Sequence, residues 1–149
     1  MFGILLTSHG EMAKGMLNSC KLFFGNDLKK CEAVCLEANE NIIDFDIKLE
    51  KALKILDEYN EGVVVCCDLY GGTPSNRMLE LLYKKRHIRV LTGMNLGLVM
   101  ELLTIRESVN SIEEISMKEI LDTCKNGISD LNLMLQSEEI LNQDNEFFY

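Results

Sequence analysis

The hydrophobic and polar positions of this chain follow two patterns that alternate along its length. Four short apolar runs predict buried strands at residues 3–8, 33–36, 63–67 and 87–92. Between these runs, apolar residues recur every three or four positions, as they do on one face of an amphipathic helix. These stripes predict helices at residues 12–24, 42–61, 73–85 and from 96 onward, and then a last long helix that extends to residue 135.

Capping residues indicate where some of these helices begin. Asn41 is a favourable N-cap for the second helix. Two alternative capping boxes precede the last helix, Ser111 with Glu114 and Ser116 with Glu119. We therefore expect the last helix to begin shortly after one of these two serines.

Strands that alternate with helices at this spacing predict an α/β fold. The sheet should be parallel and covered by helices on both faces. Right-handed crossovers make a doubly wound strand order of 2-1-3-4 the simplest topology. Leu131, Leu133 and Leu135 alternate with polar or flexible side chains, so the C-terminal region could also add an edge strand. We expect one domain over residues 1–135 and a polar tail over residues 136–149.

The predicted topology brings two chemically active residues together. His9 ends the first strand and Asp68 ends the third, and these two strands are neighbours in the order 2-1-3-4. Ligand sites in open α/β sheets form at the carboxyl ends of the strands, where the strand order reverses. An imidazole with one free nitrogen is a nucleophile, and a carboxylate on its other nitrogen stabilises the positive charge of the reacting ring. The pair therefore predicts a catalytic site that accepts an anionic group and passes it on.

The segment that follows the third strand has the composition of an anion-binding turn. Its two glycines permit a sharp turn, and Thr73 and Pro74 suit the N-cap and the first position of the next helix. The N-terminal end of a helix attracts anions such as phosphate. The candidate phosphate-binding residues are Ser8, Gly71, Gly72 and Thr73. Composition alone also fits an ordinary strand-to-helix turn, so the functional interpretation depends on the position of this segment opposite His9.

Composition and charge argue against several functional classes. The 149 residues are 47% hydrophobic and 26% charged, and the net charge of −9 disfavours non-specific binding to nucleic acid or anionic membranes. The chain contains no apolar run of 18 residues, and its apolar start lacks the basic region of a signal peptide. The six cysteines form no CxxC pair, and no histidine lies at zinc-ligand spacing from them. We therefore expect a cytoplasmic protein with reduced thiols, no membrane insertion, no metal and no cofactor.

Three motifs follow the first, third and fourth predicted strands. They are residues 7–10 (Thr-Ser-His-Gly), 68–76 (Asp-Leu-Tyr-Gly-Gly-Thr-Pro-Ser-Asn) and 92–96 (Thr-Gly-Met-Asn-Leu). In this order they resemble the enzyme IIA component of the mannose/sorbose family of the bacterial phosphoenolpyruvate-dependent sugar phosphotransferase system. The resemblance covers the chain from residue 1 to about residue 135.

This resemblance implies a phosphotransferase with a phosphohistidine intermediate. His9 would accept a phosphoryl group from the phosphocarrier protein HPr and pass it to a IIB component. IIB then phosphorylates sugar that enters through the membrane subunits IIC and IID, so contact with the membrane is indirect. Asp68 would orient His9, and Gly71, Gly72 and Thr73 match the family's loop positions. The family also implies a homodimer.

This chain departs from the family pattern at two positions that bear on the substrate system and the partner surface more than on the chemistry. Tyr70 stands where a tryptophan is common, and Gly97 stands where a proline is usual.

Other classes of protein remain as alternatives. A phosphocarrier subunit of a dihydroxyacetone kinase has a similar fold and an N-terminal histidine. Histidine phosphatases share a His-Gly-Glu run, but here Ser8 replaces the arginine that would bind the phosphate. A flavodoxin-like binding module would usually need a hydroxyl-rich loop after the first strand, which this chain lacks.

Overall fold

Four parallel strands form the central sheet of the computed structural model, which describes residues 1–84 and 87–136. The strands are β1 (Gly3–His9), β2 (Cys31–Leu36), β3 (Val63–Cys67) and β4 (Ile88–Thr92). Their order is β2-β1-β3-β4, and every adjacent pair is parallel. The predicted α/β class and strand order are therefore confirmed.

Helices cover both faces of this sheet. They are α1 (Met12–Phe24), α2 (Ile42–Leu56), α3 (Thr73–Leu82), α4 (Leu96–Ile105) and α5 (Met117–Asn126). Side chains of α1, α4 and α5 contribute to one buried cluster, and side chains of α2 and α3 contribute to the other. None of the helices in the described ranges is long and apolar enough to cross a membrane.

The two buried clusters follow from the alternation of side chains along the strands. All five residues of β3 are buried, with Cys66 in the cluster beneath α1 and α4 and Cys67 in the cluster beneath α2 and α3. Successive side chains of a strand point to opposite faces of the sheet. A continuous apolar run such as β3 therefore requires cover on both faces, which is typical of parallel sheets.

Of the two capping boxes predicted before the last helix only the first forms, because the side chain of Ser116 makes no capping hydrogen bond at the start of α5. The Ser111–Glu114 capping box closes a single 3₁₀ turn, Ile112–Glu114, and α5 begins separately after Ser116. At the second helix, the predicted cap is present, because the Asn41 Oδ1 atom accepts a hydrogen bond of 2.9 Å from the N–H of Ile43.

The C-terminal region differs from its prediction. The expected long helix is interrupted, since α5 ends at Asn126 and residues 131–136 form a separate helical segment. Asp130 begins this segment, because its Oδ1 atom accepts hydrogen bonds from the N–H groups of Asn132 at 2.9 Å and Leu133 at 3.3 Å. The extra edge strand is consequently not present in the described part of the chain. Residues 137–149 of the predicted tail lie outside the described residues.

Candidate active site

His9 and Asp68 meet at the carboxyl end of the sheet although they are 59 positions apart in sequence. Thr7 pairs with Cys67 as the last register pair between β1 and β3, so His9 extends beyond that pair and Asp68 follows it directly. The Oδ2 atom of Asp68 lies 2.8 Å from His9 Nδ1 and accepts a second hydrogen bond of 2.9 Å from the backbone N–H of His9. Asp68 therefore holds both the ring and the main chain of His9.

The carboxyl group of Asp68 is held in its charged form. Burial disfavours the charge, but hydrogen bonds from the His9 backbone, the His9 ring and the Leu69 N–H outweigh it and lower the pKa of Asp68 below its usual value. The Leu69 N–H donates to Asp68 Oδ1 at 2.8 Å. Both carboxylate oxygens are thus occupied, and the side chain of Asp68 is only 11% exposed.

This arrangement determines which nitrogen of His9 is available for chemistry. A charged carboxylate can only accept hydrogen bonds, so Nδ1 of His9 carries the ring proton and donates a hydrogen bond to Asp68. In the neutral ring Nε2 then keeps its lone pair. The side chain of His9 is 45% exposed, which leaves the ring accessible to a reactant from solvent.

Gly71 and Gly72 are both required in the neighbouring loop, but for different reasons. Gly71 has a φ of +76°, a left-handed conformation that other residues rarely adopt, and its surroundings are open. Gly72 has an ordinary φ of −75°, but a Cβ atom there would lie 2.6 Å from His9 Cε1 and 3.3 Å from His9 Nε2. The loop backbone therefore lies directly against the reactive edge of the imidazole.

Helix α3 begins one residue earlier than the capping residues predicted, because Thr73 was expected to be the N-cap. Gly72 is the N-cap, Thr73 is the first helical residue and Pro74 the second, and no side chain caps this end. The cap lies at Gly72 because this residue has the extended conformation of an N-cap, with ψ of 166°, whereas Thr73 is already helical. The first N–H groups of a helix have no partner within it, so the N-terminus of α3 presents free donors beside the site.

Ser8 is placed differently from the other candidate phosphate-binding residues. It is fully buried, and its hydroxyl accepts a hydrogen bond of 2.8 Å from the N–H of Ala13 and lies 3.2 Å from the carbonyl of Gly10. The side chain thus stabilises the turn between β1 and α1. Ser8 therefore affects the site by holding this turn, which follows His9 directly.

Two residues of the site were not singled out from the sequence. The Ser75 hydroxyl donates to the carbonyl of Gly72 at 3.0 Å, and the Asn76 amide donates to the carbonyl of Gly71, also at 3.0 Å. Both side chains therefore reach back from the first turn of α3 to the glycine loop. Their place inside the nine-residue motif was the only available signal, since the bonds depend on the folded path of the loop.

The third motif supports the site from the strand on the other side of β3. The Asn95 side chain accepts a hydrogen bond of 2.9 Å from the N–H of Leu98 and caps α4. Just before it, the N–H of Met94 donates to the carbonyl of Cys67 at 3.0 Å. This motif therefore fixes the end of β3, from which Asp68 extends.

The Cys67 thiol, next to Asp68, does not compete with His9 as a nucleophile, and the described residues contain no cluster of metal ligands. Burial, reinforced by the charge of Asp68, raises the pKa of the Cys67 thiol to about 12, so it remains protonated. In residues 1–84 and 87–136, no three side chains among histidine, cysteine, aspartate and glutamate are grouped so that they could hold a metal ion. His9 is thus the group best suited to covalent chemistry at this end of the sheet.

A parallel α/β sheet with a carboxylate-held histidine beside a helix N-terminus is suited to transfer of an anionic group. Comparison with known proteins identifies the family. A sequence model described as "PTS system fructose IIA component", where PTS is the phosphotransferase system, matches residues 3–120. The chain therefore belongs to this family of IIA components, and it is a phosphoryl carrier of a sugar phosphotransferase system.

Individual relatives agree with this assignment. The chain is 26% identical over 140 residues to the fructose-specific EIIA component of Bacillus subtilis strain 168, covering 94% of this chain and 90% of that protein. It is 30% identical over 111 residues to the sorbose-specific EIIA component of Klebsiella pneumoniae, covering 74% of this chain and 79% of that protein. These relatives favour a sugar phosphotransferase system over a dihydroxyacetone kinase subunit.

The fold is shared with solved IIA structures. A PTS IIA protein associated with the fucose utilization operon of Streptococcus pneumoniae superposes with a TM-score of 0.79 at 30% identity. The match covers 89% of this chain and 95% of that one. The mannose/sorbose-specific IIA subunit of Enterococcus faecalis superposes with a TM-score of 0.74 at 26% identity.

Proposed function

We propose that this protein carries the phosphoryl group on the Nε2 atom of His9. The observation that supports this assignment is the 2.8 Å contact between His9 Nδ1 and Asp68, which leaves Nε2 as the free nitrogen of an accessible ring. The phosphohistidine formed in this way is the intermediate between donor and acceptor.

The transfer requires only groups that this chain and its donor possess. The lone pair of His9 Nε2 attacks the phosphorus atom of a phosphorylated donor histidine, a new P–N bond forms, and the donor's P–N bond breaks. Positive charge develops on the His9 ring, and Asp68 stabilises it through the proton on Nδ1. The same steps in reverse, with a different partner, transfer the phosphoryl group to the acceptor.

The glycine loop and the start of α3 bind the oxygens of the transferred group. Gly71 and Thr73 supply backbone N–H groups, and the Thr73 hydroxyl adds a donor on the first helical residue. Gly72 contributes by bringing the loop against His9, since its own N–H donates to the carbonyl of Leu69 at 3.4 Å. Ser8 contributes by holding the β1–α1 turn through its bond to Ala13. The helix dipole of α3 also favours the negative charge.

The open geometry of the site suits protein partners. IIA components generally interact with HPr and IIB components, and here HPr is the proposed donor and IIB the proposed acceptor. Three exposed apolar side chains, Met12 at 44%, Leu69 at 60% and Tyr70 at 80%, follow β1 or β3 at the same end of the sheet as His9. Exposed apolar patches of this kind mark protein interaction sites. The membrane subunits IIC and IID receive the phosphoryl group only indirectly, through IIB.

We also propose that the protein acts in the cytoplasm as a homodimer. Large apolar side chains of the C-terminal segment are exposed in the single chain: Ile128, Leu131, Leu133 and Leu135. A second copy would cover this surface, which would otherwise favour aggregation.

Phosphorylation in vitro tests the proposed role of His9. The protein is incubated with enzyme I, HPr and phosphoenolpyruvate, and the products are examined by mass spectrometry and by stability in acid and base. We expect one acid-labile, base-stable phosphoryl group on the wild-type chain, and none on the His9→Ala variant. The His87→Ala variant is the control, because His87 precedes β4 at the opposite end of the sheet, and it should be labelled normally. Label that persists in His9→Ala would exclude His9 as the carrier.

A further inference from the structure

The glycine loop beside His9 is held in shape by consecutive side chains of α3. Asn76 donates from Nδ2 to the carbonyl of Gly71 at 3.0 Å, and Ser75 donates from its hydroxyl to the carbonyl of Gly72 at 3.0 Å. The N–H of Asn76 also donates to the carbonyl of Gly72, at 3.0 Å. Both glycine carbonyls are therefore bound by the first turn of α3.

These bonds determine where the N–H groups of the loop point. In a trans peptide the C=O and the following N–H point in opposite directions, and the described residues contain no cis peptide bond. Because the Gly72 carbonyl faces α3, the N–H of Thr73 faces away from the helix. Gly72 lies against the ring of His9, and Thr73 follows Gly72 directly. The N–H of Thr73 is therefore presented next to this ring.

Asn76 contributes the part of this arrangement that a helix does not provide by itself. The bond from the Asn76 N–H to the Gly72 carbonyl is an ordinary helical bond, but the Gly71 carbonyl lies before the helix and has no such partner. Only the Asn76 amide binds it in the described structure, across five positions. The Gly71–Gly72 peptide is therefore held at its carbonyl by the exposed Asn76 side chain, while its N–H makes a longer bond of 3.4 Å to the carbonyl of Leu69.

We propose that Asn76 is a positioning residue for phosphoryl transfer. Through the Gly71 carbonyl it holds the Gly71–Gly72 peptide in place, so that the loop packs against His9 and the N–H of Thr73, the next residue, is presented to the transferred group. This proposal rests on the proposed function of His9. Asn76 acts through the loop backbone and is not required to touch the phosphoryl group.

The neighbouring residue provides a matched control, because it anchors α3 without touching the loop. Arg77 binds Asp46 of α2 with two hydrogen bonds, from Nε at 2.8 Å and from Nη2 at 2.5 Å, and it binds Glu80 at 2.7 Å. These contacts join α3 to α2 and do not involve the glycine carbonyls. Loss of the Arg77 contacts should therefore affect stability, while loss of the Asn76 contact should affect transfer.

The experiment compares Asn76→Ala, Asn76→Asp and Arg77→Met with the wild type. Transfer from phosphorylated HPr is measured by rapid quench, and unfolding is measured by urea titration. We expect Asn76→Ala to lower kcat about 10- to 100-fold, because small misplacements of a catalytic group have effects of this size, with unchanged KM and stability. Asn76→Asp should be slower still, since a carboxylate repels both the Gly71 carbonyl and the transferred group. Arg77→Met should unfold at lower urea but transfer at the wild-type rate.

A spectroscopic measurement separates positioning from a general structural role. In the wild type, the backbone amide resonance of Thr73 should shift when His9 is phosphorylated, and in Asn76→Ala this shift should shrink while the core resonances stay in place. Wild-type transfer rates in both Asn76 variants would overturn the inference, as would a loss of rate that merely follows the loss of stability. A wild-type chain that is not phosphorylated at His9 would instead overturn the proposed function.

Discussion

At the scale of single residues, the contact between Gly72 and His9 is the most restrictive feature of the site. The exposed ring of His9 could rotate away from a larger side chain, but it would then lose its 2.8 Å contact with Asp68. The tautomer that leaves Nε2 free depends on that contact. Glycine at position 72 is therefore a requirement of the proposed chemistry at His9 more than of the fold.

Alanine substitutions should separate the roles of the two glycines. Gly72→Ala places a Cβ atom 2.6 Å from His9 Cε1 and should reduce phosphoryl transfer about 100-fold, with little change in stability. Gly71→Ala puts a side chain at a φ of +76° and should instead lower the free energy of unfolding by about 1–2 kcal/mol. Transfer kinetics and urea unfolding of both variants provide the test. Wild-type transfer by Gly72→Ala would contradict the role assigned to this contact.

At the scale of elements, the close approach of α2 to β1 determines how the sheet is covered. The Gly3 position lies so near the end of α2 that a Cβ atom there would be 2.7 Å from Leu56 Cβ and 3.0 Å from the Leu56 carbonyl oxygen. This carbonyl belongs to the backbone and cannot move independently of the helix. The packing of α2 on the sheet therefore depends on a glycine at the first position of β1.

Gly3→Ala should destabilise the protein by about 1–3 kcal/mol, the usual effect of overpacking a core. Gly15→Ala is the matched control, because Gly15 lies in α1 and, apart from the neighbouring backbone of that helix, no atom of the described residues lies within 4 Å of an added Cβ. This second change should stabilise the protein by about 0.5–1 kcal/mol through higher helix propensity. Urea unfolding of both variants measures the difference. Equal stabilities would show that α2 can shift without cost, contrary to the packing described here.

At the scale of the whole molecule, the C-terminal segment of the described residues carries exposed apolar side chains. Ile128 is 80% exposed and Leu131 is 70% exposed, although both are large and apolar. The segment is helical from residue 131 to residue 136, so it would meet a second copy as a helical surface in the conformation described here. The proposed homodimer follows from the need to bury this surface.

Sedimentation equilibrium at micromolar concentration tests the dimer. The wild-type protein should have about twice the chain mass of 17.0 kDa. A variant with Leu131→Glu and Leu135→Glu should sediment as a monomer, because burying two unpaired carboxylates in the interface is unfavourable. Leu22→Glu is the control, since Leu22 is 85% exposed on α1, and it should remain dimeric. A monomeric wild type would contradict the proposal.

The alternation of strand and helix patterns was sufficient to predict the fold from the sequence. Side-chain period and short connections leave few arrangements for four parallel strands, and the observed order is the simplest of them. The same topology places the ends of neighbouring strands together, so the proximity of His9 and Asp68 could be predicted before any coordinates. Their separation of 59 positions did not prevent the prediction, because the two residues follow strands that are neighbours in the sheet.

Other features depended on contacts that only the tertiary structure creates. The buried hydroxyl of Ser8 bonds to Ala13, and no local pattern distinguishes it from an exposed hydroxyl beside a phosphate. The contact of Gly72 with His9 and the reach of Asn76 to Gly71 depend on the path of a loop, which sequence period does not specify. The interruption after α5 arises because Asp130 competes for backbone N–H groups that the predicted long helix would have used. The sequence thus determined where the strands lie, through hydrophobic patterning, and in which order they pair, through the rules for parallel connections. Only the tertiary structure determined the atoms that each side chain of the site contacts, because these contacts depend on the folded path of the loops.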